Sequence, residues 1–143
     1  MSSPANFNGQ RPAINPEDAV MLLIDHQSGL FQTVGDMPMT ELRARAAVLA
    51  KMASLAKIPV ITTASVPQGP NGPLIPEIHQ NAPHAQYIAR RGEINAWDNP
   101  EFVAAVKATG KKTINYCRNH YQCLYGFPCD KCGDGWLSSI CGH

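Results

Sequence analysis

Three sets of residues in this chain are of types that do chemistry. The most crowded is a cysteine cluster: all five cysteines fall between Cys117 and Cys141, and none precedes them. Cys129-x-x-Cys132 has metal-ligand spacing, and Cys141 with His143 could complete four ligands around a tetrahedral zinc. Cys117, His120 and Cys123 would then be spare. The second is Asp25, which ends the apolar run from Ala19 to Ile24, and the third is Arg90, which ends Tyr87-Ile88-Ala89. Taken alone, an aspartate after a strand serves as a turn or capping residue, and a lone arginine as a solvated charge. They acquire a joint role only if the fold brings these two chain segments together.

Composition narrows the options. At 143 residues the chain suits one domain, large enough for a core but small for a complete doubly wound sheet. A net charge of +1 offers no general attraction to nucleic acid or to an anionic membrane. The pairs Arg90-Arg91 and Lys111-Lys112 are too short to form a binding run. Met1 to Gln10 is polar, so no signal peptide is expected, and no run approaches a membrane span. The absence of cysteine before Cys117 argues against a disulfide scaffold and for a reducing cytoplasm.

The elements that must position these residues read as α/β. Residues 1–16 form a polar, proline-bearing arm. The unbroken run from Ala19 to Ile24 fits a strand buried on both faces of a parallel sheet. Thr40 to Lys57 is the clearest helix, with Thr40 as its cap and Leu42, Ala46, Leu49, Ala53 and Ala56 recurring on one side. Pro59 to Ala64 is a β-branched strand. Gln68 to Pro73 makes a turn-rich loop leading into a short helix around Ile75 to His79. A further helix has Asp98 or Asn99 as cap, Pro100 at its first position and Gly110 as its stop. A third strand should begin at Lys112 or Thr113, but its apolar run dies after Ile114. Alternation of strand and helix calls for parallel pairing with right-handed crossovers, and ligands then sit beyond the carboxyl ends of the strands. Asp25 belongs to that edge, within reach of Arg90.

Leu22-Leu23-Ile24-Asp25-His26-Gln27-Ser28-Gly29-Leu30 resembles the first-strand motif of the isochorismatase-like cysteine hydrolases. Gly69 to Leu74, Tyr87 to Arg90, Ile94 to Asn99 and Val106 to Lys112 resemble successive motifs of one subgroup, small oligomeric hydrolases of uncharacterised substrate. The resemblance runs from about Glu17 to Lys112 with its segments in family order. It implies a three-layer αβα fold around a parallel sheet of about six strands, a small-molecule substrate, a homo-oligomer and no cofactor. It also implies catalysis by an Asp, a basic residue and a Cys nucleophile. Asp25 matches the general base, and Arg90 matches the residue that keeps the site positive. His26, Gln27 and Trp97 are the candidates for the pocket wall. The metal motif of nicotinamidase relatives is replaced here by Thr63-Ala64-Ser65-Val66-Pro67, which disfavours metal-dependent amidase chemistry.

The nucleophile is where this chain departs from the family. A small-residue turn and a Thr-Asn-Val-Cys-like motif should follow the lysine pair; instead the chain reads Asn115 to Cys123 without them. Cys123 is the thiol nearest the expected position. The genetic code offers a test of a slipped frame. Joining the last two bases of each codon to the first of the next, Asn115 and Tyr116 give only Ile or Thr. Gln122 gives Asn or Ser, Cys123 gives Val or Ala, Leu124 can give Cys, and Trp136 must give Gly. One permitted path reads Leu-Ile-Ile-Ala-Gly-Ile-Thr-Thr-Asn-Val-Cys-Met-Ala-Phe, which restores a buried strand and the nucleophile turn. The expected organisation is therefore an arm over 1–16, a partial hydrolase domain over 17–112, and an irregular cysteine-rich tail over 113–143 that is out of frame. The chain as written should be inactive and the edge of its third strand left open. The alternatives are a non-catalytic subunit or a zinc protein using Cys129, Cys132, Cys141 and His143.

Overall fold

The computed structural model describes residues 15–118 and 122–128, with side chains described for 15–115. Its centre is β1 (Ala19–Ile24), in which every residue is buried. Alternate side chains of a strand point to opposite faces, so an unbroken apolar run needs cover on both. Ala19, Met21 and Leu23 pack with Phe31, Leu42, Ala46, Ala50, Ala53 and Ile78 on one side. Val20, Leu22 and Ile24 pack with Ile61, Ile88, Phe102, Val106 and Ile114 on the other. The first layer comes from α1 (Ser28–Gln32), α2 (Met39–Leu55) and α3 (Pro76–Asn81). The second comes from α4 (Pro100–Ala108).

Strands β2 (Val60–Ser65), β3 (Gln86–Arg90) and β4 (Thr113–Arg118) join β1 in parallel, and β5 (Gln122–Pro128) adds an antiparallel strand. The order is β3-β2-β1-β4-β5. This is the expected αβα sandwich around a parallel sheet, with one antiparallel edge.

Local chemistry explains most boundaries. Asn99 caps α4, its side-chain oxygen accepting from Phe102 N–H at 2.9 Å with Pro100 next in line, and Gly110 follows at φ 65°. At the end of α2, Ile58 N–H donates to Ala53 O and Lys57 N–H to Ser54 O, with Lys57 left-handed at φ 57°. Arg43 of α2 grips Glu77 of α3 through two hydrogen bonds, at 2.7 and 3.0 Å. That guanidinium holds the Glu77 carboxyl below its ordinary range. The pair therefore supports the fold above the usual carboxylate pKa and stops doing so as acid protonates Glu77.

Two expectations need correction. Thr40 does not cap α2: the helix starts one residue earlier, with Pro38 as N-cap and its carbonyl accepting from Leu42 N–H. Nor is the chain irregular from residue 113. Thr113 to Arg118 aligns with Ala19 to Ile24, and β5 then covers the edge that should have stayed open. Backbone donors and acceptors along β1 pair with any extended neighbour, so pairing there does not require the apolar run to continue past Ile114. The arm up to residue 14 and the candidate zinc ligands Cys129, Cys132, Cys141 and His143 lie outside the described residues. Among the described residues, no helix is long and apolar enough to cross a membrane.

Candidate active site

Asp25 is the first residue past β1 and takes a left-handed backbone, φ 58°. Aspartate tolerates this region better than most residues, so the turn is inexpensive. Its N–H still donates to Thr63 O of β2 at 3.0 Å, which continues the ladder one rung before the chain swings away. On the far side of β2, Ser65 stands level with Arg90, the last residue of β3. The strand ends thus gather Asp25 and Arg90 at the carboxyl edge of the sheet, from positions 65 residues apart.

The two side chains form a buried ion pair, Arg90 Nη2 donating to Asp25 Oδ1, with side-chain exposures of 0% and 6%. The rest of the guanidinium is occupied as well. Nε donates to Thr63 Oγ1 at 3.2 Å, and Nη1 donates to the carbonyls of Glu93 and Ile94 at 2.8 and 3.1 Å. A buried charge is tolerable only when paired and hydrogen-bonded, and Arg90 meets both conditions. The loop after β3 is ordered in turn by Glu93, which accepts from Arg91 N–H at 2.7 Å and from Asn99 Nδ2 at 3.1 Å. Bonds from its own and Arg91's backbone N–H groups hold the Glu93 carboxyl below the ordinary range.

The residues expected to wall a pocket occupy definite places. Gln27 is fully buried, and its amide is spent on backbone groups. Its Oε1 accepts from Ser65 N–H at 2.9 Å, while Nε2 donates to Ser65 O at 3.1 Å and to Gly72 O at 2.6 Å. It staples the 66–73 loop to the ends of β1 and β2. The approach is too close for side chains: a Cβ on Gly29 would lie 2.2 Å from Pro70 O, and Gly72 has φ +71°. Gln27→Ala should destabilise the fold by about 1–3 kcal/mol, since it removes the partner of part-buried Ser65 and Gly72 backbone groups. Denaturant unfolding measures this, and a loss near zero would refute the staple. His26 is buried with its ring edge-on to Phe31 at 5.8 Å. Trp97 is half-buried in the 3₁₀ turn Ala96–Asp98, packed on Phe102 at 5.4 Å.

Thr63 and the carbonyls of Glu93 and Ile94 are site components that the residue types did not point to. A threonine pair, Thr62-Thr63, inside an otherwise apolar buried strand was the available signal. Cys123 is not brought to the pair. Its backbone sits in β5 opposite Cys117, which is level with Leu23 of β1. Two strand spacings and two residues put it about 12 Å from Asp25 along the sheet, on the outermost strand.

No protein-family model matches the chain. It is 46% identical over 101 residues to the probable hydrolase YcaC of Escherichia coli (strain K12), across 71% of this chain and 49% of that protein. The solved YcaC of Escherichia coli, described as an octameric hydrolase of unknown specificity, superposes with a TM-score of 0.72 at 42% identity. That match covers 83% of this chain and 59% of the other. YcaC from Pseudomonas aeruginosa, solved with hexane-2,5-diol and covalent acrylamide, gives a TM-score of 0.72 at 45% identity, covering 79% and 55%. An isochorismatase from Pseudomonas putida shares the fold at a TM-score of 0.58 and 23% identity, covering 76% and 60%. The chain spans about half the length of the curated relative it matches, 49%. Over the part they share, this chain is therefore similar in sequence to the YcaC hydrolases, and it has the isochorismatase-like fold.

Proposed function

We propose that the chain carries the acid–base half of a cysteine hydrolase acting on a small amide, ester or related C–N or C–O bond. We further propose that the chain as written is catalytically silent, because its nucleophile motif is lost through a shifted frame after Lys112. The observation that carries the first part is the buried Asp25–Arg90 pair at the carboxyl edge, where open α/β sheets bind their ligands. In the proposed reaction Asp25 takes the thiol proton and the thiolate adds to the substrate carbon. The leaving group departs with a proton, and water then cleaves the covalent intermediate and regenerates the thiol. Arg90 holds Asp25 in place and keeps the site positive. His26 and Trp97 border this region, while Gln27 shapes it through the loop it holds. A reducing cytoplasm is part of the proposal, supported by the cysteine-free stretch before Cys117.

The test is a version whose residues after Lys112 follow the shifted frame, assayed on a panel of small amides and esters. Turnover should appear, and should vanish when Asp25 becomes Asn or when the cysteine of Thr-Asn-Val-Cys becomes Ser. A well-folded shifted version with no turnover on any member would refute the assignment.

One observation favours a second reading, a non-catalytic subunit. Val48, Met52 and Leu55 form an apolar stripe on the outer face of α2, at 65%, 43% and 74% exposure. Such a stripe suits helix-to-helix contact with another copy or an intact relative. Escherichia coli YcaC is itself described as octameric.

A further inference from the structure

We infer that the opposite, amino-terminal edge of the sheet holds a second ligand site, for a small carboxylate with an apolar body. A cleft of about 390 Å³ opens there between the ends of α2 and α4 and the starts of β2 and β3. That volume lies in the range of small-molecule sites. Its floor includes the buried Val60 and Ile61, and its rim carries Ser54, Lys57, His84 and Gln86.

Three features set the ligand chemistry. First, among the described residues no Asp or Glu lines the cleft, whereas Lys57 does. Second, the side chains of Ser54, Lys57 and Gln86 make no hydrogen bond or ion pair among the described residues, unlike the fully engaged polar groups around Asp25. An ammonium, a hydroxyl and an amide left open around one cleft can together bind a carboxylate. Third, the apolar floor would be wasted on a bare inorganic anion and suits a hydrocarbon body. The walls are firm: His84 Nε2 donates to Ile58 O at 2.9 Å, and Lys57 is set by the capped end of α2. β2 runs from this cleft at Val60 to the Asp25–Arg90 region at Ser65, so the two sites are about 17 Å apart.

The experiment is a titration of the full chain with sodium benzoate, followed by backbone amide chemical shifts. Saturable binding with a dissociation constant on the order of 1 mM is expected, with shifts centred on Val60, Ile61 and Gln86. Lys57→Gly should weaken binding about tenfold. Glycine relieves the left-handed backbone there, so the variant keeps the fold, and Gln86→Ala gives a second check on a different wall. Absence of saturation would overturn the inference. So would shifts centred on the carboxyl edge, affinity unchanged in both variants, or inorganic phosphate binding as tightly as benzoate.

Discussion

Arg90→Met should destabilise the fold by about 3–5 kcal/mol, the cost of leaving a buried charge without its partner. Arg90, whose own side chain is fully buried, meets one carboxylate, one hydroxyl and two carbonyls. Methionine fills much of the volume but satisfies none of them. Asp25, at 6% side-chain exposure, would be left without its guanidinium partner. Adding Asp25→Asn to Arg90→Met should therefore recover part of the loss, because the orphaned charge disappears. Urea unfolding at neutral pH measures all three proteins. Arg90→Lys serves as a milder variant should Arg90→Met fail to fold: it keeps the charge but not the fork, and an intermediate loss is expected. A loss below about 1 kcal/mol for Arg90→Met would mean that the pair is solvated, as surface pairs are.

The chain as written should hydrolyse small amides and esters no faster than buffer, and Cys123→Ser should change nothing. A nucleophile must stand within hydrogen-bond reach of its base, about 3 Å. Cys123 is held by backbone pairing on the outermost strand, level with a residue two positions before Asp25. Enzymatic rate enhancements reach about a million-fold and more, so the contrast with the shifted-frame version should be unmistakable. Turnover at enzymatic rates that disappears in Cys123→Ser would overturn the prediction. The intact mass of the protein from its native source bears on the frame itself. A species at 15.5 kDa would establish the cysteine-rich tail as real. A different mass, with tail peptides in the shifted frame, would support the proposal.

Much of the scaffold was legible because its signals are local. The run from Ala19 to Ile24 announces a doubly covered strand through six consecutive apolar residues. Asn99 and Pro100 announce the start of α4 through groups within three residues of each other. Thr40 misled for the same reason: it is a good cap by type, yet the turn before it was already helical from Met39. Asp25 and Arg90 were legible as candidates through family resemblance, while residue type alone left them as a turn residue and a surface charge.

By itself the sequence determined the alternation of strand and helix, the apolar faces and the chemical types available at the carboxyl edge. Only the tertiary structure decided which of those types meet. Arg90 reaches Asp25 because β2 lies between β1 and β3 and fixes the rung at which each strand ends. Gln27 became a loop staple because Ser65 and Gly72 arrive beside it from other segments. Thr113–Arg118 paired with β1, and Gln122–Pro128 with Thr113–Arg118, because β1 had an open edge to offer. In each case the deciding partner is distant in the chain. Backbone pairing and charge burial depend on that geometry, which no window of neighbouring residues contains.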